Sequence, residues 1–223
     1  LAADFGEYPD MFIALLTAQA PDLCCRVYDV ERGEYPDELD EVDAYLITGS
    51  KASVYDKTPW ILGLTSFVQE VLRQRKKLVG ICFGHQIIAS ALGGKVEKAA
   101  VGWGVGVKAT SLTKAATDAG LKLDAGNRSL NLLYSHQDQV TLPAPGSTLL
   151  ASTDICPVAM TAIGEHILSF QGHPEFSHDY AEALYRLREK NYPPAIYKNA
   201  MVSLEQQEHG ALVAGWIIDF IAD

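Results

Sequence analysis

The segment that decides the fold is KLVGICFGHQIIASAL, residues 77–92. Its first five residues are mostly apolar and predict a buried strand, and the residues from Gly84 onward have the apolar spacing of an amphipathic helix. Gly80, Cys82 and Gly84 stand where the strand meets the helix. Because glycines on both sides of a residue allow a strained turn that exposes its side chain, the segment predicts a strand-to-helix turn that presents a cysteine nucleophile.

Cys82 has two interpretations. A free cysteine is most often a small buried apolar side chain, and we assign that role to Cys24, Cys25 and Cys156. At Cys82 the flanking glycines at a strand end favour a functional thiol, and the N–H of the next residue can serve an oxyanion.

A second segment, SFQGHPEF at residues 169–176, places His173 and Glu175 on either side of Pro174 after an apolar strand. Proline excludes a helix interior, so the segment is predicted to be extended. Alternate residues of an extended chain project to the same side, about 6.5–7 Å apart, so the carboxylate can orient the imidazole. Taken singly, His173 could be a structural histidine and Glu175 a helix-capping acid. Together with Cys82 at another strand end, they predict a nucleophile, a base and a residue that orients the base.

Apolar periodicity alternates between strand and helix types along the chain, which predicts an α/β fold with a mixed sheet. Strands are predicted at 23–30, 44–48, 77–81, 104–109, 130–134, 148–151, 158–163 and 166–170. Helices are predicted at 9–20, 59–75, 84–92, 178–190 and 204–221. Thr58 and Pro59 are expected at the N-cap and first position of their helix. A break at Pro193 and Pro194 is expected between the last two helices, and 109–128 is expected to be a surface excursion.

Composition narrows the class of protein. With 223 residues, 48% hydrophobic and 21% charged, the chain is expected to form one domain over residues 1–223. A net charge of −10 argues against nucleic acid as a ligand. No apolar run reaches the roughly eighteen residues of a membrane span, and four cysteines without zinc spacing indicate no metal and a reducing, cytoplasmic setting. Because 1–10 is loop-like, a first strand is expected to precede residue 1 and to be absent from this sequence.

From residue 44 to 176 the chain resembles the class I glutamine amidotransferase family. The resemblance rests on a Thr-Gly-Ser loop followed by Gly-Ile-Cys-Phe-Gly-His-Gln, Ser-His-Gln-Asp-Gln-Val and Gly-His-Pro-Glu. It implies a flavodoxin-like open mixed sheet with helices on both faces and no cofactor. It also implies that Cys82 attacks the glutamine side-chain amide, or a related γ-glutamyl bond, to form a γ-glutamyl thioester, with His173 as the base and Glu175 as the residue that orients it.

The resemblance further implies an oxyanion hole and a substrate pocket. The oxyanion hole would be formed by the N–H groups of Gly49 and Phe83. The residues assigned to the substrate pocket are Gln86, Gly102, Trp103, Ser135 and His136. Other interpretations stay open, since Gln86 could be an exposed helix residue, Trp103 a packed core residue and Asp138 a turn residue.

The loop at 48–51 departs from the family's usual Gly-Gly-Pro, because it reads Thr-Gly-Ser-Lys. In this respect the chain is similar to stand-alone members such as the plant γ-glutamyl peptidases. We therefore expect a hydrolase of small γ-glutamyl substrates, with an open groove beside Lys51. Two alternatives remain: a subunit that passes ammonia to a separate synthetase, and a non-catalytic or redox-sensing relative. The sequence predicts no oligomeric state.

Overall fold

The computed structural model describes residues 1–123 and 129–222. The strands in chain order are β1 (Ala44–Ile47), β2 (Lys77–Ile81), β3 (Lys95–Lys98), β4 (Gly104–Leu112), β5 (Ser129–His136), β6 (Asp138–Leu142), β7 (Thr148–Ser152), β8 (Met160–Ile163) and β9 (Ile167–Phe170). The helices are α1 (Ala2–Phe5), α2 (Tyr8–Gln19), α3 (Pro59–Arg73), α4 (Phe83–Ala91), α5 (Lys114–Asp118), α6 (His178–Leu187), α7 (Pro194–Ser203) and α8 (Gly210–Ala222).

Seven strands of the described chain form one mixed sheet in the order β1-β2-β9-β8-β7-β4-β5. β1, β2 and β9 run parallel, and the other neighbours run antiparallel. β3 and β6 form a separate antiparallel pair. The predicted mixed α/β sheet is confirmed.

Helices cover both faces of the parallel strands. Leu78 packs with residues of α3 and α4 on one face, whereas Val79 and Ile81 pack with residues of α2 and α8 on the other. This division follows from the two-residue period of a strand, and it explains why β2 reads as a continuous apolar run. A third cluster packs α6 and α7 against β4 and β5. Among the described residues, no helix has the length and apolar character needed to cross a bilayer.

The strand predicted at 23–30 is wrong. Residues 23–29 are irregular and lead into a 3-10 turn at Val30–Arg32. The alternation of apolar and polar residues resembles a strand, but Cys24 and Cys25 are exposed and Val27 is 53% exposed. A strand needs a hydrogen-bonded neighbour, and in the described chain β1 pairs with β2 alone.

The C-terminal prediction at 204–221 also needs correction. Pro193 and Pro194 were expected to separate two helices, but Pro194 starts α7, since proline is favoured in the first turn of a helix. The last helix begins later, at Gly210. The excursion predicted at 109–128 instead contains the end of β4 and the short helix α5, and its residues 124–128 lie outside the described chain.

Candidate active site

Cys82 occupies the turn between β2 and α4. Its backbone has φ 52° and ψ −99°, a conformation that residues with side chains rarely adopt. The Cys82 N–H donates to the Phe170 carbonyl oxygen at 2.7 Å, and its own carbonyl accepts from the Gln86 N–H at 3.0 Å. The turn is therefore fastened to β9 on one side and to α4 on the other.

Gly80 and Gly84 allow this turn to close. A Cβ atom on Gly80 would lie 2.6 Å from the Gly84 carbonyl oxygen, and a Cβ atom on Gly84 would overlap the Ile47 carbonyl oxygen at the end of β1. These obstacles are backbone atoms that cannot rotate away, so glycine is needed at both positions. The strand-to-helix turn predicted from the two glycines is confirmed.

His173 follows β9 and is fixed through both its backbone and its ring. Its N–H donates to the Leu133 carbonyl oxygen at 2.8 Å, and its ring stacks on Phe176 with centroids 3.9 Å apart. Nδ1 lies 2.7 Å from Glu175 Oε1, and both side chains are buried. Because a carboxylate only accepts hydrogen bonds, Nδ1 carries the proton that faces Glu175, which leaves Nε2 for another partner.

The His173 ring also lies close enough to the Cys82 sulfur to interact with it, and both residues line the same cavity. Burial alone would lower the pKa of His173, but the charges of Glu175 and Cys82 outweigh burial and raise the pKa above its ordinary value. The imidazole is thus prepared to hold a proton beside the sulfur, as a thiolate–imidazolium pair requires. In the structure, His173 lies between Cys82 and Glu175. A nucleophile, a base and an acid that orients the base need this spatial order.

The two N–H groups assigned to the oxyanion hole belong to residues beside the cysteine. A Cβ atom on Gly49 would lie 3.1 Å from His173 Cε1 and 3.8 Å from Cys82 Cβ. Phe83 is the first residue of α4, a position whose N–H has no acceptor within the helix. Gly49 and Phe83 are therefore placed to contribute donors, and their role stays a prediction.

A cavity of about 340 Å³ opens over Cys82 and His173. The predicted pocket residues that line it are Gln86, Trp103, Ser135 and His136. Gly102 is not among the described residues that line the cavity, and its role in substrate binding stays a prediction. At φ 84° it closes the turn before β4, where its N–H donates to the Ala99 carbonyl oxygen at 2.9 Å.

Asp138 is more than a turn residue. Its carboxylate accepts hydrogen bonds from Ser53 Oγ and, at 2.9 Å, from Tyr55 Oη, and so ties the 48–58 loop to the start of β6. Gln86 is buried rather than exposed on its helix. Trp103 lines the cavity and also packs edge-on against Tyr192, so both interpretations of that residue describe part of its surroundings.

The cavity wall is cationic although the protein is acidic. Lys51, Lys98 and Arg188 line it, and none of them forms an ion pair with a carboxylate in the described residues. The acid in the same wall, Asp138, is already engaged by two hydroxyls. The cavity is therefore suited to a ligand with carboxylate groups.

Two residues near the cysteine were not identified from the sequence. Arg188, just after α6, lines the cavity and donates through Nη1 to Ser135 Oγ at 3.2 Å. Gln171 is fully buried, with Nε2 3.5 Å from Cys82 Sγ. Gln171 stands two residues before His173, so the alternation argument used for Glu175 could have found it, whereas no local signal marks Arg188.

This chain is similar to one family model and to several known proteins. The family model described as "Glutamine amidotransferase class-I" matches residues 12–187. Gamma-glutamyl peptidase 3 of Arabidopsis thaliana is 35% identical over 78% of this chain and 70% of its own length. Gamma-glutamyl peptidase 5 of the same plant is 37% identical over 78% of this chain and 69% of its own length.

Among solved structures, a glutamine amidotransferase from Methylobacillus flagellatus superposes with a TM-score of 0.78, although it is only 18% identical. The match covers 95% of this chain and 88% of the other. It confirms the predicted flavodoxin-like arrangement of sheet and helices.

Proposed function

Because this chain belongs to the class I glutamine amidotransferase family, we propose that it hydrolyses γ-glutamyl amide bonds with the Cys82 thiol as nucleophile. The observation that carries the proposal is the buried His173 ring, which is hydrogen-bonded to Glu175 and interacts with the Cys82 sulfur. The ring lies at the wall of a cavity large enough for a small ligand.

The reaction follows from these positions. The Cys82 thiolate attacks the γ-carbonyl carbon, and the N–H groups of Gly49 and Phe83 stabilise the oxyanion. His173 then gives its proton to the leaving nitrogen, the C–N bond breaks, and a γ-glutamyl thioester remains. A water molecule then gives a proton to His173 and attacks the thioester carbonyl. The C–S bond breaks and glutamate is released, which restores the Cys82 thiolate and the protonated His173. Glu175 holds the imidazole in one tautomer throughout.

Substitutions test the roles. Cys82→Ala is expected to abolish turnover and to leave the fold intact. Glu175→Gln is expected to lower kcat by about 10²–10⁴-fold without abolishing it, since Glu175 orients the base and does not react. Steady-state kinetics and circular dichroism of both variants are the measurements. Full activity in Cys82→Ala would place the chemistry elsewhere.

We further propose that the substrate is a γ-glutamyl compound with a carboxylate in its leaving group. Lys51 lines the main cavity, and it also lines an adjoining groove bounded by Tyr8, Glu31 and Trp60. A leaving group that extends from the cavity into this groove would pass beside the positive charge of Lys51. Arg188, which is hydrogen-bonded to Ser135, is the second cation, and it would bind the α-carboxylate of the γ-glutamyl residue.

The test compares kcat/KM for glutamine, glutathione and a γ-glutamyl dipeptide. Comparable values for glutamine and the dipeptide are expected, with strong hydrolysis by the isolated protein. Lys51→Met should raise KM for the dipeptide more than for glutamine, whereas Lys57→Met, in the same loop outside the cavity wall, should change neither. A preference of roughly a hundredfold for glutamine, about 2.7 kcal/mol at the transition state, would favour a subunit that supplies ammonia to a synthetase.

A further inference from the structure

A line of buried amides runs behind the nucleophile. Gln171 Nε2 lies 3.5 Å from Cys82 Sγ, and Gln171 Oε1 accepts a hydrogen bond from Gln86 Nε2 at 3.1 Å. The same Gln86 nitrogen donates to the Asp138 carbonyl oxygen at 2.7 Å. Gln171 is 0% exposed and Gln86 is 3% exposed, so both amides lie away from bulk water.

The donor and the acceptor of each hydrogen bond can be assigned from the last partner, the backbone carbonyl of Asp138. A backbone carbonyl can only accept, so Gln86 must present its NH₂ group to Asp138. The second hydrogen of that NH₂ group points to Gln171, which must then present its carbonyl oxygen to Gln86. The NH₂ group of Gln171 is consequently turned toward the Cys82 sulfur. The line can supply a donor to the sulfur but not an acceptor.

The backbone holds Gln171 and Cys82 in fixed relation. Ile81 and Phe170 are paired partners of the parallel strands β2 and β9, and Gln171 and Cys82 directly follow them. The Gln171 N–H donates to the Ala159 carbonyl oxygen at 2.9 Å, which secures it on its other side. The amide therefore reaches the sulfur from the end of β9, and Gln171 is not among the described residues that line the cavity.

A hydrogen bond from an amide matters more to a thiolate than to a thiol. Bonds to an ionised acceptor are about twice as strong as neutral ones, and their strength increases away from water. The other titratable groups that interact with the Cys82 sulfur are the His173 imidazole, backed by Glu175, and the buried thiol of Cys156. Of the side chains that carry no charge, Gln171 is the one whose donor reaches the sulfur in the described structure.

We propose that Gln171 is a catalytic residue that donates a hydrogen bond to the Cys82 thiolate and thereby directs the lone pairs of the sulfur toward the substrate. In this proposal Gln86 is a positioning residue that fixes the orientation of the Gln171 amide. The proposal rests on the role of Cys82 in the proposed function. It gives Gln86 a task behind the nucleophile in addition to its place in the cavity wall.

The first experiment measures the thiolate directly. Iodoacetamide modifies the thiolate form, so the alkylation rate of the Cys82 peptide, followed by mass spectrometry, reports ionisation across a pH series. Removing the donor with Gln171→Met should move the midpoint of this profile upward by about one pH unit. Gln171→Glu, of nearly the same shape, should move it further because it adds a negative charge. The exposed Cys24 and Cys25 provide internal references that should not change.

The second experiment tests the orienting role of Gln86. Gln86→Leu should move the midpoint in the same direction by less than Gln171→Met does. With a γ-glutamyl dipeptide, Gln171→Met should lower kcat by about tenfold and leave KM within about twofold. Gln86→Leu should lower kcat and also raise KM, because Gln86 lines the cavity. Gln69→Leu is the matched control, because Gln69 Nε2 donates a hydrogen bond to the Ala91 carbonyl oxygen at the opposite end of α4 from the cysteine.

The outcomes separate this proposal from the proposed function. An unchanged alkylation midpoint in folded Gln171→Met and Gln171→Glu, as judged by circular dichroism, would overturn the role of Gln171. An equal change in Gln69→Leu would show an unspecific effect and would also overturn it. Absence of hydrolysis by the wild-type protein, with the midpoints moving as described, would refute the proposed reaction and leave the contact between Gln171 and the thiolate established.

Discussion

Cys82 adopts a backbone conformation with an energetic cost. A residue with a Cβ atom in a sparsely populated region such as φ 52° is destabilised by roughly 1–3 kcal/mol. Hydrogen bonds from β9 and α4 hold the turn in place. Arg75, the other such residue of the described chain, lies in an exposed turn after α3. A strained backbone at a buried cysteine that lines a cavity indicates a functional role.

We expect Cys82→Gly to be more stable than Cys82→Ala by about 1 kcal/mol, because removal of the Cβ atom relieves the strain. Glycine normally has the opposite effect, since it increases the freedom of the unfolded chain. Urea denaturation of the two variants measures the difference. Arg75→Gly and Arg75→Ala form the control pair and should show the same order at a site without chemistry. A more stable Cys82→Ala would mean that the turn is not strained.

The placement of Cys82, His173 and Glu175 in one site could be predicted because their motifs are local. Gly80, Cys82 and Gly84 lie within five residues, and Glu175 is two residues from His173, so spacing alone relates them. Arg188 and Lys98 reach the cavity only through the packing of α6 and the β3–β6 pair, which no local pattern describes. Contacts that depend on tertiary packing could not be predicted from the sequence alone.

The start of α4 and the end of β1 approach each other closely at the site. Gly84, on the first turn of α4, lies so near the Ile47 carbonyl oxygen that no side chain fits between them. This contact lets the start of α4 sit directly at the carboxyl ends of the parallel strands. The N–H groups of the first helical turn are thereby brought to the site, where they favour negative charge.

Gly84→Ala is expected to destabilise the protein by about 1–3 kcal/mol and to lower activity, because α4 must move away from β1. Gly215→Ala in α8 is the matched control. A Cβ atom there meets nothing within 4 Å, so this variant should be neutral or up to about 1 kcal/mol more stable. Thermal melting and dipeptide hydrolysis are measured for both. Equal melting temperatures for the two variants would contradict the packing argument.

Elements with strong periodicity were predicted well, and the failures have physical causes. The predicted helix at 59–75 matches α3, with Pro59 in its first turn, and the strand at 77–81 matches β2. β3 and β6 were not predicted, because β3 is mostly exposed and has no apolar face to read. The segment 23–30 has a strand-like pattern without a strand neighbour, and pairing cannot be read from one segment.

The whole molecule brings distant parts of the chain to one edge. Cys82 follows β2 and His173 follows β9, and these strands are adjacent and parallel although β3 to β8 lie between them in sequence. The carboxyl ends of adjacent parallel strands are where open α/β sheets form their sites. The antiparallel strands then contribute Ser135 and His136 to the cavity from the end of β5.

His85 connects α4 to the centre of this assembly and is expected to make stability depend on pH. Its Nδ1 lies 2.8 Å from Ser169 Oγ in β9, and its Nε2 lies 3.1 Å from the Val158 carbonyl oxygen. Burial lowers the pKa of His85 from 6.5 to about 4, against a smaller opposing effect of the Val158 carbonyl. At a pH between about 4 and 6.5, the His85 imidazole is therefore neutral in the folded protein and charged in the unfolded chain.

Because the folded-state pKa is the lower one, the stabilisation is fully present above pH 6.5 and is lost as the pH falls toward 4. Over this window the wild-type protein should lose on the order of 3 kcal/mol more stability than His85→Gln, in which the titrating group is absent. His136, whose pKa burial lowers to about 3, contributes in the same direction in both proteins, although His85 adds to that lowering in the wild-type protein alone. Urea denaturation at several pH values between 4 and 7 measures the difference. Parallel stability curves for the two proteins would show that His85 titrates normally in the folded state.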